Sequence, residues 1–547
     1  MSPPSQAHDA KSLLHRARRR YFLAMGILMM ISAAYAFDIS YLKPCLNIMP
    51  PRVNAVIVLL LTAWIHFSLH ADYSNCSKMV RHGCEPIPIY ENNLFGVRFL
   101  METAENLKKH TLLEHRQHLL NTLGHTLKQR QFPDNFETIT TDDPENIKTI
   151  LATKFEDWNI PKIRIESFLP VLGRHSIFTT NGPEWQHTRA VIRPAFVRDQ
   201  ISDLACLDRH ITALIAALPK DGSPVDLQAM FSMLTTDSIT DFMLGHSIDM
   251  LGRAPADGMK FGNYFDAAMQ KIAYRARLGW LTLLFPDKEL NGYTAFMDAY
   301  VDKYVAELRA SRSRGTDDRK SYVFLNELLD SGEPDHVIRA HLMSIFLAGR
   351  DTTTSALTYM FYQFSLNPSI TNKLRSEIAA LGHPDPTWQD LRNMQYLTHI
   401  VKEALRLSPP VPSNQRAAIR DTILPTGGGP LGTSPVFVPR GTNCRYQVWS
   451  MQRRPDIYGP DADVFRPERW ADPNLRVAYE YLPFNAGPRI CIGQQFALAQ
   501  LAMVAFRLLQ AFESIERKDD RPATQRLGLN LSMVHGCWVS MKPAADA

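Results

Sequence analysis

The sequence carries no C-x-x-C pair, no glycine-rich dinucleotide fingerprint, no flavin motif and no low-complexity linker. Its seven cysteines are Cys45, Cys76, Cys84, Cys206, Cys444, Cys491 and Cys537. They are odd in number and widely scattered, which argues against a disulfide framework or a C-x-x-C zinc site and for a reducing compartment. Gly427-Gly428-Gly429 lacks a following Gly-Lys-Ser/Thr and opens no helix, so it reads as a loop between strands and not as a phosphate cradle. Charge of neither sign dominates: the net value is +5, and Lys and Arg are spread along the chain, which gives nucleic acid no footprint. No repeat of about 20 to 50 residues is visible, which excludes solenoids.

What is present begins with two uncharged apolar segments, Tyr21 to Phe37 and Val53 to Leu69, each 17 residues long. Both sit at the short end of what spans a bilayer as a helix. Lys11, Arg16, Arg18, Arg19 and Arg20 precede the first, so a cytosolic N-terminus over 1–20 is expected. Spans at 21–37 and 53–69 would return the rest of the chain to the cytosol, leaving the sequons at Asn75 and Asn530 idle. Ala34-Tyr35-Ala36 also resembles a signal-peptide cleavage site, although cleavage would leave a second apolar segment as a lone anchor. Residues 70–90 read as a linker, with Glu85-Pro86-Ile87-Pro88-Ile89 stiff and extended, ahead of a single body over 91–547.

Apolar residues recur at helical spacing over Leu112 to Leu127, Gln200 to Leu218, Met230 to Leu244, Tyr293 to Leu308 and His336 to Leu366. Strand signals are fewer and late, at Ile423-Leu424 and Val436-Phe437-Val438. The expected fold is mainly α with a small β portion. His110, His115, His118 and His125 share one amphipathic stretch, but without a ligand-spaced Asp, Glu or Cys they read as a solvated face.

The segment richest in chemistry is Phe484-Asn485-Ala486-Gly487-Pro488-Arg489-Ile490-Cys491-Ile492-Gly493, running into Gln494-Gln495-Phe496-Ala497. A lone cysteine is usually a small buried hydrophobe. Here Gly487 and Gly493 permit a tight turn and close backbone approach to a flat cofactor. The helix opening after Gly493, with Ala497 in its first turn, would stabilise a thiolate and lower its pKa. Arg489 offers a fork for a carboxylate, and Phe484 can cover the sulfur.

Position by position, this segment resembles the haem-binding loop of the cytochromes P-450, Phe-x-x-Gly-x-Arg-x-Cys-x-Gly. The resemblance implies the P-450 fold, a b-type haem with Cys491 as axial iron ligand, and a thiolate that favours O–O cleavage. Other family motifs follow in order. Ala348-Gly349-Arg350-Asp351-Thr352-Thr353 lies in the long helical stretch. Either Gly349 merely weakens a core helix and Thr352 bonds its own backbone, or the helix is opened at Gly349 above the haem and Asp351 and Thr352 relay protons. Glu403 and Arg406 share a helix face, and the resemblance places them in a buried structural triad with Arg469. It also sets Trp185 and Arg189, and Arg416, against the haem propionates.

Ser176-Ile177-Phe178-Thr179, Trp185 to Arg189, Asp461 to Phe465 and Leu482 to Gln495 look like the fungal microsomal branch that hydroxylates n-alkanes and fatty acids at the chain end. That implies an endoplasmic-reticulum membrane protein with its catalytic domain in the cytosol. Electrons would come from NADPH through a separate membrane-bound reductase. His535, where such enzymes line the channel, is unlike what a plain alkane calls for. Three alternatives stand: a monooxygenase tailoring a fungal secondary metabolite, a haem-thiolate isomerase or dehydratase needing no relay, and a non-enzymatic haem sensor.

Overall fold

In the computed structural model the described residues are 9–36, 51–90, 97–131, 136–196, 204–252, 255–278, 286–314 and 323–544. The architecture is mainly helical with a small β portion. Helical backbone runs through both apolar N-terminal segments, as α1 (Ala10–Ala36) and α2 (Pro51–Arg81). The two lie side by side, with Tyr21 stacked on Tyr73 at 6.2 Å between ring centroids. Among the described residues no helix is long and apolar enough to cross a membrane.

The helix pair is tied to the body at one end. Ala10 N donates to Glu85 Oε2, Lys78 pairs with Asp421, and His82 stacks on Phe437. Glu85 N donates to Pro435 O and Gly429 N donates to Pro86 O, so this proline-rich segment is hydrogen-bonded to the hairpin that follows Asp421.

Five strands form the largest sheet: β1 (Thr126–Gln131), β2 (Phe136–Thr141), β3 (Trp158–Asn159), β5 (Ser413–Ala418) and β8 (Asn443–Gln447), in the order β1-β2-β8-β5-β3. Only β2 and β8 run parallel within it. The segment 112–127, expected to be one helix, ends as a helix at Leu123, and Gly124 and His125 lead into β1. The Gly427 to Gly429 run closes the hairpin of β6 (Thr422–Gly428) and β7 (Ser434–Val438), where Gly427 and Gly429 take left-handed φ values of 110° and 75°. The remaining strands are β4 (Val225–Asp226), β9 (Phe512–Arg517) and β12 (Trp538–Pro543) in one sheet, and β10 (Gln525–Leu527) with β11 (Leu531–Met533) in another.

Helices that position the site are α3 (Gly182–Ile192), α4 (Ala205–Ala217), α5 (Leu227–Leu244), α6 (Asp335–Leu366), α7 (Gln395–Leu407) and α8 (Gln494–Ala511). α5 is capped by Asp226, whose carboxylate accepts from Gln228 N at 2.9 Å, and is stopped by Gly245 in the left-handed region. α6 is apolar on nearly every face because it threads the middle of the protein. Two large hydrophobic clusters flank it, one shared with α7, α8 and the N-terminal half of α5, and one shared with the C-terminal half of α5 and its neighbours.

Candidate active site

On α6, whose neighbouring turns are almost wholly buried, Ala348, Gly349, Asp351 and Thr352 are partly accessible. Ala348 and Thr352 lie one turn apart on one face. Cys491 is exposed by surface area although protein encloses it, so it lies on the wall of an internal cleft.

The Cys491 loop is held from several directions. Cys491 N donates to Phe484 O at 2.9 Å, and Asn485 N donates to Leu482 O at 3.2 Å. Asn485 sits at φ 62°, a conformation Asn tolerates better than most residues. Gly487 has φ 68°, and a Cβ there would fall 1.9 Å from Leu151 O. Its missing side chain lets the loop backbone pass close to Leu151. Gly493 has an ordinary negative φ of −88°; its contribution is an N–H that bonds the Cys491 sulfur at the start of α8. Ala497 N closes the first turn on Gly493 O at 2.9 Å. Phe484 packs against the hydrophobic cluster shared by α7 and α8.

Electrostatically the thiol departs from the sequence expectation. Burial pushes the Cys491 pKa up, against the downward pull of the Gly493 N–H and the Arg189 guanidinium. The protein shell alone keeps a neutral thiol; a coordinated metal cation deprotonates a thiol outright.

Around the same cleft four guanidinium groups converge. Arg489 donates to Thr180 O and Asn181 Oδ1, both at 3.0 Å, and stacks 4.2 Å from the centroid of Trp185. Arg189 lies over the same ring at 5.9 Å. Arg416 donates to Gln415 O at 2.8 Å and to Asn414 Oδ1 at 3.3 Å, and Arg164 donates to the same Asn414 oxygen. Among the described residues no carboxylate forms an ion pair with any of the four. Burial and repulsion by Arg416, Arg164 and Arg189 push Arg489 down to about 9, and burial with Arg416 pushes Arg164 to about 10. Crowded, desolvated cations of this kind call for a dianionic partner. A thiol on the wall with four unpaired guanidiniums beside it fits haem, whose iron takes the sulfur and whose two propionates take the charge. Arg164 was missed by sequence reasoning because it stands in no motif of fixed spacing.

α6 shows the acid–alcohol pair in helical backbone. Thr352 Oγ1 donates to Ala348 O at 2.6 Å, and the helix continues unbroken through Gly349. The expected opening at Gly349 is not there. A Cβ at Gly349 would meet Ile239 Cδ1 at 2.5 Å, so the missing side chain lets α5 pack against α6. Arg350, buried, bonds Asp266, and approaches Asp351 Oδ1 at 3.3 Å. Burial raises the Asp351 carboxyl pKa, only partly offset by Arg350.

Behind the cysteine loop Glu403, Arg406 and Arg469 meet, all at most 2% exposed. Glu403 accepts from Arg406 Nε at 2.9 Å, Arg469 Nε at 2.8 Å, Trp470 Nε1 at 3.0 Å and Arg466 N at 2.9 Å. Arg406 in turn donates to Gln452 O and Ala462 O. Gln452 also escaped sequence reasoning, lying between motifs. His535 falls elsewhere: it lines a surface recess with Tyr362, Arg517 and Asp519, and Tyr362 is ten residues past Thr352 on α6, about 15 Å along the axis.

The family model described as Cytochrome P450 matches residues 97–534. The chain is 42% identical to Cytochrome P450 monooxygenase himC of Aspergillus japonicus, over 85% of each chain. It is 39% identical to Cytochrome P450 monooxygenase FPY7 of Fusarium mangiferae, over 84% of this chain and 90% of the relative. Cytochrome P450 52A12 of Debaryomyces hansenii is 35% identical over 85% of this chain and 93% of the relative. The chain therefore belongs to the cytochrome P450 family, whose members use a haem held by a cysteine thiolate and electrons from a redox partner.

Proposed function

We propose that this monooxygenase hydroxylates an unactivated C–H bond of an apolar or amphipathic substrate, a fatty acid or an alkane, using O2 and electrons from a separate NADPH-dependent reductase. The observation that supports the reading is that Asp351 and Thr352 are partly accessible on α6 between turns that are mostly buried. Haem, when bound through Cys491, supplies oxygen activation. Arg164, Arg189, Arg416 and Arg489 would hold its propionates, and Trp185 carries two of those guanidiniums on its ring.

Asp351 is the proton reservoir, because its raised pKa keeps a larger protonated fraction near neutral pH than an ordinary carboxyl has. Thr352 holds its hydroxyl in place through Ala348 O. Glu403, Arg406 and Arg469 shape the loop that presents the sulfur and touch no substrate. Sequence favours anchoring in the endoplasmic-reticulum membrane through 21–37 and 53–69, with the catalytic body in the cytosol; basic residues before the first segment support that orientation.

Membranes carrying the enzyme, a P450 reductase and NADPH, supplied with a panel of fatty acids and alkanes, test the substrate class. Hydroxylated product from the panel is expected. Its absence, with turnover on larger fungal metabolites, would favour the second reading, a tailoring enzyme with the same site and a different pocket.

A further inference from the structure

Away from the cleft, α4 and α5 bring three ligand-type side chains together. Cys206 and His210 are four residues apart and share a face of α4. Both point at Asp241 on α5: the Cys206 thiol lies 3.1 Å and His210 Nε2 2.8 Å from the same oxygen, Oδ2. One ligand atom from each residue lies within 4.8 Å of the others. His210 and Asp241 are only 12% and 15% exposed at the side chain, so the trio is partly withdrawn from water yet reachable.

The dimensions suit a small tetrahedral cation. Zinc bonds of about 2.3 Å to sulfur and about 2.0 Å to nitrogen or oxygen place ligand atoms roughly 3.3–3.5 Å apart. Opening the present 3.1 and 2.8 Å contacts by a few tenths of an ångström reaches that geometry. A thiolate with an imidazole excludes magnesium and calcium as preferred occupants. Arg209, 70% exposed at the side chain, also reaches Asp241 Oδ2 at 3.0 Å and bonds the Cys206 thiol, so a bound cation would turn it out toward solvent. The other charged neighbours are Asp237, within reach of His210, and Asp208, which is engaged by Arg507 of α8.

We propose that Cys206, His210 and Asp241 form a zinc site with a fourth position open to water. Its loading ties α4 to α5. The brace matters for the rest of the molecule because Ile239, two residues before Asp241, packs on Gly349, and Thr235 bonds Thr354 on the catalytic helix. Binding replaces the thiol proton by metal, so the proton leaves to solvent and affinity rises with pH. Burial and Asp241 push the Cys206 thiol up to about 12, which agrees with a neutral thiol in the absence of metal.

Tag-free holoenzyme, stripped with chelator and dialysed against zinc chloride, tests this by zinc-to-iron ratio, with haem iron as the internal count. About one zinc per haem is expected for the wild type, with a raised unfolding temperature on zinc addition. Cys206→Ser and His210→Asn should keep their haem and lose both the zinc and the thermal shift. Cadmium should give a thiolate charge-transfer band in wild type that Cys206→Ser lacks. Substoichiometric zinc in the wild type, or equal zinc in the variants, overturns the site.

Discussion

Gln452 Oε1 accepts the backbone N–H of Leu482 at 2.8 Å, a contact that joins the buried ion triad to the loop that carries Cys491. On its other side Gln452 donates Nε2 to Leu405 O and Arg406 O, while its own carbonyl accepts from Arg406. Leu482 O then accepts from Asn485, and Phe484 O from Cys491. Gln452→Leu should remove the link and leave buried carbonyls and an N–H unpaired. The expected outcome is a larger share of the reduced carbon-monoxide complex lacking the thiolate signature, in a protein that still folds.

Glu403→Ala leaves Arg406 and Arg469 buried without their carboxylate. Losing one partner of such a pair costs about 3–5 kcal/mol. Haem content per protein should collapse, and a pyridine-haemochrome assay reads it. An unaltered haem content with reduced turnover would show that the triad does not organise the loop.

Arg164→Gln separates cofactor holding from folding. Without haem the variant loses a cation that repels Arg416 and Arg489, so the apoprotein should be as stable as wild type or more so. With haem a propionate partner is gone, so haem transfer to apomyoglobin should be faster. A haem-transfer rate equal to that of wild type would remove Arg164 from the site.

Thr352→Ala should uncouple electron uptake from product, with peroxide released in place of hydroxylated substrate. The peroxide-to-product ratio at fixed NADPH consumption measures it.

Asp351 supplies a pH prediction. Its folded pKa is raised, so the folded state binds the proton more tightly than the unfolded chain. Its stabilising contribution is therefore complete below the ordinary carboxylate pKa and is lost as pH rises through the raised value. Asp351→Asn abolishes that slope. Urea midpoints measured from acidic to neutral pH should fall in the wild type relative to Asp351→Asn over that window.

Much of the site could be seen in the sequence because it is carried by short local motifs. The loop from Phe484 to Gly493, the Asp351-Thr352 pair and the Glu403 to Arg406 turn each keep their chemistry within one element. What escaped is long-range. Arg164 and Gln452 come from segments without fixed spacing to Cys491. β1, Thr-Leu-Lys-Gln-Arg-Gln, lacks apolar alternation, because its place in the sheet comes from pairing with β2 and not from one buried face. The room that Gly349 and Gly487 leave for Ile239 and Leu151 is also long-range packing, with no local signal in the sequence. The pKa of Cys491 went the other way from the helix-terminus argument because burial outweighs one N–H and one nearby guanidinium.

Cys491 as the iron ligand is tested most directly by the reduced carbon-monoxide difference spectrum. Wild type should show the red-shifted Soret band of thiolate ligation, and Cys491→Ser should lose that band even where some haem remains bound. A wild-type spectrum without the shift, or a serine variant that keeps it, would contradict the assignment.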